Sequence, residues 1–416
     1  MQFISILCLG FLLLSIPVFS QKKNVSAPTA GMSEDRKSLE PLFQTTLDYY
    51  GKLLRTPNGM YLNSWRLNQS KRPNNFCSIA SVGVGLMALC MEHELGRNPN
   101  AAEQALQTLR TFNGKVKDYK LDRDSSGFFR HFYNANTGKG KSEFSTIDTS
   151  ILVVGALYCR NTFKDPRIIS EADELWKSID WQKALAKPNG TRLYMVMKDG
   201  KPKPHSITAM FNEYYILNWL IREDQLKKTG KSNLKTFREF TTWNNNGLTL
   251  LSDPRKVPHC SFIVQFPLYM CQPGAADADF LKFVQAQAKA DQRASSQRTK
   301  APHLWGCGAG LTPRQGYKAS DYNMNQDNVV SPNIIAGFIP AHPEAQRHLA
   351  KLYKNPKLLV KTPHGNILPR FSVDMPNWKP HHIEGIDYSS MLFGLAASHP
   401  KLGMEFFKEK TKFTFK

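Results

Sequence analysis

Pairs of helical segments, one apolar throughout and the next apolar on one face only, are the feature that most constrains this fold. Residues 79–95 carry little charge and are rich in small residues, whereas residues 101–112 have one polar face. A helix that is apolar all round is buried, and an amphipathic helix borders solvent on one side. The two segments therefore predict an inner helix covered by an outer one. A further amphipathic helix is predicted before them, at residues 33–54.

The same order of a buried segment and an amphipathic segment recurs along the chain. The further pairs are 147–159 with 169–179, 212–221 with 234–243, 262–271 with 276–294, 332–338 with 343–353, and 387–397 with 401–408. Strand-like alternation is sparse and is confined to short stretches such as 192–197 and 248–251. Six such pairs predict an all-α fold, an (α/α)6 toroid or barrel with small β-hairpins in its loops.

The first 34 residues stand apart from this pattern. Residues 1–20 carry no charge, contain an apolar run from Phe3 to Phe19 and end in small residues, which is typical of an export signal peptide. We expect residues 21–34 to be a disordered leader, residues 35–416 to be a single domain, and the protein to be secreted or periplasmic. No later stretch reaches the roughly 18 apolar residues of a membrane helix, so we expect no membrane insertion.

The net charge of +21 raises the question of an acidic partner. Lys and Arg are spread over helix faces and loops, and no block of them is interleaved with aromatic residues as in a nucleic-acid-binding module. We therefore expect a solvated basic surface and no nucleic-acid partner. The cysteines beyond residue 20 have no CxxC spacing and no accompanying His cluster, so we expect no metal site. Whether they form disulfides or remain core thiols stays open.

The loops that precede the inner helices hold most of the residues that can do chemistry. If the inner helices all point the same way, these loops open at one mouth. Four acids fall there: Glu143, Asp148, Glu213 and Asp387. Two carboxylates across a groove are the minimum apparatus for glycosidic cleavage, one protonating the leaving oxygen and one activating water or attacking the sugar.

Each acid also has a purely structural interpretation, because an acid at a helix N-terminus stabilises the helix dipole. Ser145 and Asp148 have the spacing of a capping box before an apolar run, so Asp148 taken alone is better interpreted as a helix cap. Glu213 and Asp387 taken singly stay open between the two roles. The cluster of four acids, together with the aromatic loops, favours catalysis.

The order of these segments resembles the glycoamylase-like glycoside hydrolase family of the endo-β-1,2-glucanase type. The likeness runs from about residue 78 to residue 395. Among the segments that carry it are SIASVGVGL (78–86), GFFRHFYNANTG (127–138), SEFSTIDTSILVVGAL (142–157), FNEYYILNWL (211–220), LWGCGAGLTPRQGY (304–317) and GIDYSSMLFGL (385–395).

The resemblance implies an (α/α)6 barrel that hydrolyses a β-glucan without a metal or organic cofactor. It implies that Glu213 is the general acid, that Glu143 is a site acid, and that Asp387 is a candidate base that activates water directly or through a relay. We expect an oligo- or polysaccharide as the partner and a monomeric protein. The expected substrate-binding residues are Arg130, His131, Tyr133, Asp148, Asn212, Tyr214, Trp305 and Tyr317.

Two other classes of function stay open. The protein could be a transglycosylase, or a polysaccharide lyase acting on an acidic glycan, as the positive net charge suggests. It could also be a glycan-binding toroid without turnover, although the presence of Glu143, Glu213 and Asp387 counts against that hypothesis.

Overall fold

The computed structural model describes residues 33–67, 75–186, 192–252, 256–322, 325 and 327–416. The predicted signal peptide and residues 21–32 of the predicted leader lie outside the described residues. Ser33 and Glu34 belong to the first helix rather than to a leader, because the Ser33 side chain caps that helix by accepting a hydrogen bond from the backbone N–H of Arg36. Residues Ser33–Lys416 form one compact unit.

Helices make up about half of the described chain. The α-helices are α1 (Glu34–Asp48), α2 (Ile79–Glu94), α3 (Ala101–Phe112), α4 (Thr146–Thr162), α5 (Pro166–Lys177), α6 (Tyr215–Thr229), α7 (Phe262–Met270), α8 (Gln272–Ala276), α9 (Ala278–Thr299), α10 (Pro332–Gly337), α11 (Ala345–Tyr353), α12 (Gly385–Ala397) and α13 (Gly403–Lys410). A π-helical segment, Tyr49–Leu54, extends α1, as the prediction of a helix over residues 33–54 requires.

The strands are short and pair antiparallel in small sheets. They are β1 (Ser64–Arg66), β2 (Phe76–Ser78), β3 (Phe132–Asn134), β4 (Phe144–Ser145), β5 (Leu193–Tyr194), β6 (Val196–Lys198), β7 (Lys201–Pro202), β8 (Ile207–Thr208), β9 (Thr242–Asn245), β10 (Leu248–Leu251), β11 (Ala309–Thr312), β12 (Gly316–Ala319), β13 (Val329–Val330), β14 (Val360–Thr362), β15 (Gly365–Ile367), β16 (Phe371–Ser372) and β17 (His382–Glu384). The pairings that shape the site are β1 with β17, β2 with β3, and β4 with β6. The predicted short strands at 192–197 and 248–251 are thus confirmed.

Six largely buried helices contact one another in a closed sequence. Helix α2 contacts α4, which contacts α6, and the sequence continues through α7, α10 and α12 back to α2. Glycines allow the close crossings: a Cβ on Gly83 would lie 2.3 Å from the carbonyl oxygen of Ile151, and a Cβ on Gly394 would lie 1.8 Å from that of Ala336. The small residues that mark these segments as inner helices therefore also set how closely the helices pack.

The amphipathic helices lie outside this set. Helix α3 contacts α2 and α5, α5 contacts α4, α9 contacts α7, and α11 contacts α10 and α1. Each of these outer helices buries one face against an inner helix. The predicted division into inner and outer helices is confirmed for these pairs.

The prediction of an outer helix at residues 234–243 is wrong. A short 3-10 turn, Phe237–Glu239, is followed there by β9, which pairs with β10 in a hairpin. Asn246 and Gly247 at the tip both have positive φ, 50° and 82°. An Asn-Gly pair with two positive φ angles is the preferred two-residue hairpin turn, so the local turn chemistry overrides the helical spacing of apolar residues before it.

One large hydrophobic core runs through the helices, and a smaller cluster of Leu250, Ala290, Cys307 and Tyr322 lies beside it. All six cysteines of the described residues are buried, and Cys90, Cys159, Cys260, Cys271 and Cys307 are free thiols, which for these five answers the question that the sequence left open. Cys90 and Cys159 have their sulfur atoms 3.8 Å apart across α2 and α4. None of the helices in the described part of the chain is both long and apolar enough to cross a membrane.

Candidate active site

The four predicted acids lie at the N-terminal ends of inner helices or in the strands and turns that lead into them. Asp148 is in the first turn of α4, Glu213 is in the turn before α6, and Asp387 is in the first turn of α12, while Glu143 directly precedes β4. Their charges act on one another: Asp148 raises the pKa of Glu213, and Glu213 raises the pKa of Asp387. The acids therefore surround one site.

His131 connects two of these acids. Its Nδ1 lies 3.2 Å from Glu143 Oε1, and its Nε2 lies 3.7 Å from Asp148 Oδ1. Burial lowers the pKa of His131, but the charges of Asp148, Glu143 and Glu213 outweigh that effect and raise it above its usual value. Its hydrogen bond also lowers the pKa of Glu143. These shifts favour the imidazolium form of His131 and the ionised form of Glu143.

Backbone pairing fixes His131 in this position. The His131 N–H donates to the Glu143 carbonyl at 2.9 Å, and its own carbonyl accepts from the Ile79 N–H at 3.2 Å, at the start of α2. The ring of Phe132 stacks on the imidazole with centroids 3.7 Å apart. The segment before α4 therefore folds into a hairpin that carries its histidine to the mouth of the inner helices.

Asp148 has more than the capping role that its sequence position suggests. The Asp148 N–H donates to Ser145 Oγ at 3.3 Å, which is the predicted cap. The N–H of Ser145 donates instead to the Phe129 carbonyl at 2.8 Å, so it is not available for the return bond of a capping box. The Asp148 carboxylate is buried and faces His131, and burial raises its pKa.

Hydrogen bonds of the Asn212 side chain fix the turn that carries Glu213, and the Glu213 carboxyl group does not take part in them. Asn212 Nδ2 donates to Thr208 Oγ1 at 2.6 Å, and Asn212 Oδ1 accepts from the Tyr214 N–H at 2.8 Å. Among the described residues, no hydrogen bond reaches the Glu213 carboxyl. Burial, together with the charge of Asp148, raises its pKa to about 7, against the opposing effect of His131. Glu213 therefore keeps its proton close to neutral pH.

Asp387 has a different environment. Its Oδ1 accepts a hydrogen bond of 2.9 Å from Tyr317 Oη, and its Oδ2 is buried without a hydrogen-bond partner in the described part of the structure. Burial and the charge of Glu384 raise its pKa to about 8, while Tyr317 and Arg370 oppose the rise. Asn333 Nδ2 donates to the Asp387 carbonyl at 2.7 Å and fixes the backbone.

A small cavity behind Asp387 contains residues that the sequence analysis missed. It has a volume of about 20 Å³, enough for a single water, and Arg370, Glu384 and His382 are among the residues that line it. Arg370 is buried, with Nη2 donating to the Gly308 carbonyl at 3.2 Å and Nε and Nη1 unpaired among the described residues. His382 Nε2 lies 2.7 Å from Glu384 Oε1. Glu384 could have been found as an acid three residues before Asp387, whereas Arg370 lies in no recognisable motif.

The remaining predicted substrate-binding residues divide into two groups. Tyr214 borders the acids, because the charges of Glu213 and Asp148 add to burial in raising the pKa of its phenol, and Tyr317 presents a ring that is 50% exposed. Asn212 shapes the Glu213 turn. These residues join the site.

Of the three other predicted substrate-binding residues, two are fully buried, which corrects their prediction, and the third, Arg130, has its side chain in an ion pair. Trp305 is fully buried and donates through Nε1 to His348 at 3.1 Å, so it has no exposed face for a sugar. Tyr133 is also fully buried, and its hydroxyl binds the Asp122 carbonyl and the Arg130 N–H. The Arg130 side chain pairs with Asp122 and lies 4.0 Å from the Phe144 ring centroid. The three side chains stabilise the hydrophobic core or the hairpin that precedes α4.

Comparisons with known proteins relate this chain to solved structures only. No protein-family model and no curated protein matches it. An endo-β-1,2-glucanase from Chitinophaga pinensis, in complex with sophorotriose and glucose, superposes with a TM-score of 0.74 at 18% identity, over 90% of this chain and 95% of that one. A putative glucoamylase from Bacteroides caccae gives a TM-score of 0.70 at 17% identity, over 91% and 98%.

A third similar structure is an endo-β-1,2-glucanase from Talaromyces funiculosus in complex with sophorose, with a TM-score of 0.63 at 12% identity, over 90% of this chain and 86% of that one. At these identities the likeness establishes a shared fold. The similar structures are of the same type as the family that the sequence resembles.

Proposed function

We propose that this protein is an exported glycoside hydrolase that cleaves a β-glucan and acts within chains of β-1,2-glucan. The observation that carries the proposal is the pair of Glu213 and Asp387: two carboxyl groups at one mouth, close enough for their charges to interact, each with a pKa raised by burial. Glycosidic cleavage needs one carboxyl group that donates a proton and a second that acts on water or on the sugar. The names of the similar structures supply the substrate class.

Glu213 is the general acid in this proposal. Its carboxyl has no hydrogen-bond donor beside it in the described structure, and burial raises its pKa to about 7, so the neutral form persists at the pH where a leaving oxygen needs a proton. The family resemblance assigns the same role to this position.

Asp387 is the base. It lies beside two groups that stabilise its carboxylate, the Tyr317 hydroxyl at 2.9 Å and the buried Arg370 guanidinium, and these limit the rise of its pKa to about 8. A base that activates water, rather than attacking the sugar itself, inverts the anomeric centre. The first product released from a β-linkage is then the α-anomer, which NMR during the reaction detects.

The imidazolium of His131, between Glu143 and Asp148, completes the proposed site. It offsets part of the negative charge next to Glu213 and so limits the rise of that pKa. Glu143 is held ionised by His131 and is 44% exposed in its side chain, which leaves an acceptor for sugar hydroxyl groups at the mouth. Asp148 acts through His131 and through its charge on Glu213.

We also propose that the fold is an (α/α)6 toroid and that the protein is exported. The closed sequence of contacts among α2, α4, α6, α7, α10 and α12, with amphipathic helices outside it, supports an (α/α)6 toroid. The uncharged apolar run of residues 1–20 supports export, which N-terminal sequencing of the mature protein tests, with cleavage expected before Gln21.

The test is sugar release from linear β-1,2-glucan by the wild type, by Glu213→Gln and by the control Glu405→Gln. Glu405 lies on α13 with 70% of its side chain exposed, so the same chemical change is made where no reaction takes place. We expect the Glu213 variant to lose about 10²- to 10⁴-fold in kcat, the typical contribution of a general acid, and the control to keep full activity.

Other outcomes distinguish the alternatives. Glu213→Gln activity equal to wild type would remove Glu213 as the acid. A product that absorbs in the ultraviolet would identify a lyase, because elimination leaves an unsaturated sugar and hydrolysis does not. Binding of glucan without any product would favour the glycan-binding toroid.

A further inference from the structure

An open groove of about 380 Å³ lies beside the acids. It is lined by Asn63, Ser64, Phe76, Phe132, Lys141 and Ser142. Its walls come from the residues at β1, β2 and β3 and from the hairpin segment before β4. The volume lies within the range of roughly 300 to 1,000 Å³ that small-ligand pockets occupy. Two phenyl rings provide apolar surface, and four polar side chains are available to orient a ligand.

Two of the residues that line the groove contact or pair with residues of the proposed site. On one side, the ring of Phe132 stacks on His131, which contacts Glu143 and Asp148. On the other side, Ser64 is the β-ladder partner of Glu384, three residues before Asp387. A chain held in the groove would therefore lie next to the strands that carry His131 and Glu384.

Phe76 is the most informative residue of the groove. It is 46% exposed, and only Tyr317, at 50%, is more exposed among the large hydrophobic side chains of the described residues. Phe76 lines the groove, and the Tyr317 hydroxyl donates a hydrogen bond to Asp387. Exposure of a phenyl ring to water is unfavourable, and a ligand that covers the ring recovers that free energy.

We propose that this groove is a subsite for glucosyl units of the polysaccharide away from the bond that is cleaved, with Phe76 as the stacking platform. The C–H groups of a pyranose ring form an apolar face that covers an aromatic ring, while its hydroxyl groups remain at the rim for Lys141, Asn63 and Ser64. This inference rests on the proposed function. The subsite gives the enzyme a preference for long chains over short ones.

The test compares Phe76→Ala with Phe76→Trp and with the control Val257→Ala. Val257 is 38% exposed and does not line the groove. For each protein, kcat/KM is measured on polymeric β-1,2-glucan and on a short β-1,2-linked oligosaccharide of about three units. We expect Phe76→Ala to lower the ratio of polymer to oligosaccharide activity about tenfold, equivalent to about 1.4 kcal/mol. The tryptophan variant should retain the ratio, and so should the control.

An unchanged ratio in a folded Phe76→Ala protein would overturn the subsite. Direct binding of the polymer, measured by calorimetry on each variant, separates this result from failure of the proposed function. If the wild type binds polymer without cleaving it and Phe76→Ala binds about tenfold more weakly, the groove stands and the hydrolase proposal fails. If the wild type binds no polymer, both proposals are overturned.

Discussion

Replacing Tyr317 by Phe removes one hydroxyl group from the site and leaves the half-exposed ring in place. That hydroxyl donates a 2.9 Å hydrogen bond to Asp387 Oδ1, and the bond lowers the pKa of Asp387, which burial otherwise raises. Without it, the pKa of Asp387 rises above its value of about 8. If Asp387 is the base, fewer molecules hold it ionised at neutral pH, and the activity falls.

The size of the expected rise in the pKa of Asp387 follows from the free energy of the lost hydrogen bond. A hydrogen bond to a charged group contributes about 1.5 to 3 kcal/mol, and one pKa unit corresponds to about 1.4 kcal/mol. Because Tyr317 is 50% exposed, water replaces part of the lost interaction, so we take the lower end, about one unit. At pH 7 the ionised fraction of Asp387 then falls from about one-tenth to about one-hundredth, and kcat/KM falls about tenfold.

The assay is kcat/KM on linear β-1,2-glucan from pH 5.5 to 10, because this constant reports the ionisation of the free enzyme. The quantity compared is the ratio of wild-type to variant kcat/KM at each pH, because the titration of Glu213 affects both proteins equally. We expect a ratio of about ten below pH 7 that approaches one near pH 10, where Asp387 is ionised in both. Tyr322→Phe is the matched control, because that hydroxyl binds Asn245 in the smaller core cluster. A loss that is the same at every pH would refute the reasoning and show that the Tyr317 hydroxyl acts directly on the substrate.

Two further predictions test the electrostatics and the packing. Glu384→Gln removes the negative charge that raises the pKa of Asp387, so kcat/KM at pH 6 should increase severalfold relative to the wild type, and a uniform loss over the pH range would contradict this. Gly394→Ala places a methyl group 1.8 Å from the carbonyl oxygen of Ala336, a rigid backbone atom, so the free energy of unfolding in urea should fall by about 1 to 3 kcal/mol. An unchanged urea midpoint would rule out so close a crossing of α10 and α12.

Much of the helical framework could be predicted because its pattern is local. Apolar residues at helical spacing, interrupted by turn residues, indicate the inner and outer helices from the sequence alone. The wrong prediction of a helix at residues 234–243 also has a local cause. The Asn246–Gly247 pair favours a hairpin turn, and this preference outweighs the weak helical spacing of apolar residues before it.

The aromatic residues show where such prediction ends. Trp305 and Tyr317 lie only twelve positions apart, in one loop-rich region, and both were expected to bind sugar. The structure buries Trp305 against His348 and exposes half of Tyr317 beside Asp387. No periodicity in a loop distinguishes the two, because the burial of each depends on helices far away in the chain.

The position of the acids at the ends of inner helices could therefore be predicted from the sequence, because helix boundaries and the residues beside them are local properties. The environment that makes these acids useful arises only in the folded chain. Arg370 and Tyr317 reach Asp387 from different segments, and Asp148 acts on Glu213 from another helix. A raised pKa depends on burial and on the proximity of charges, which long-range packing alone establishes.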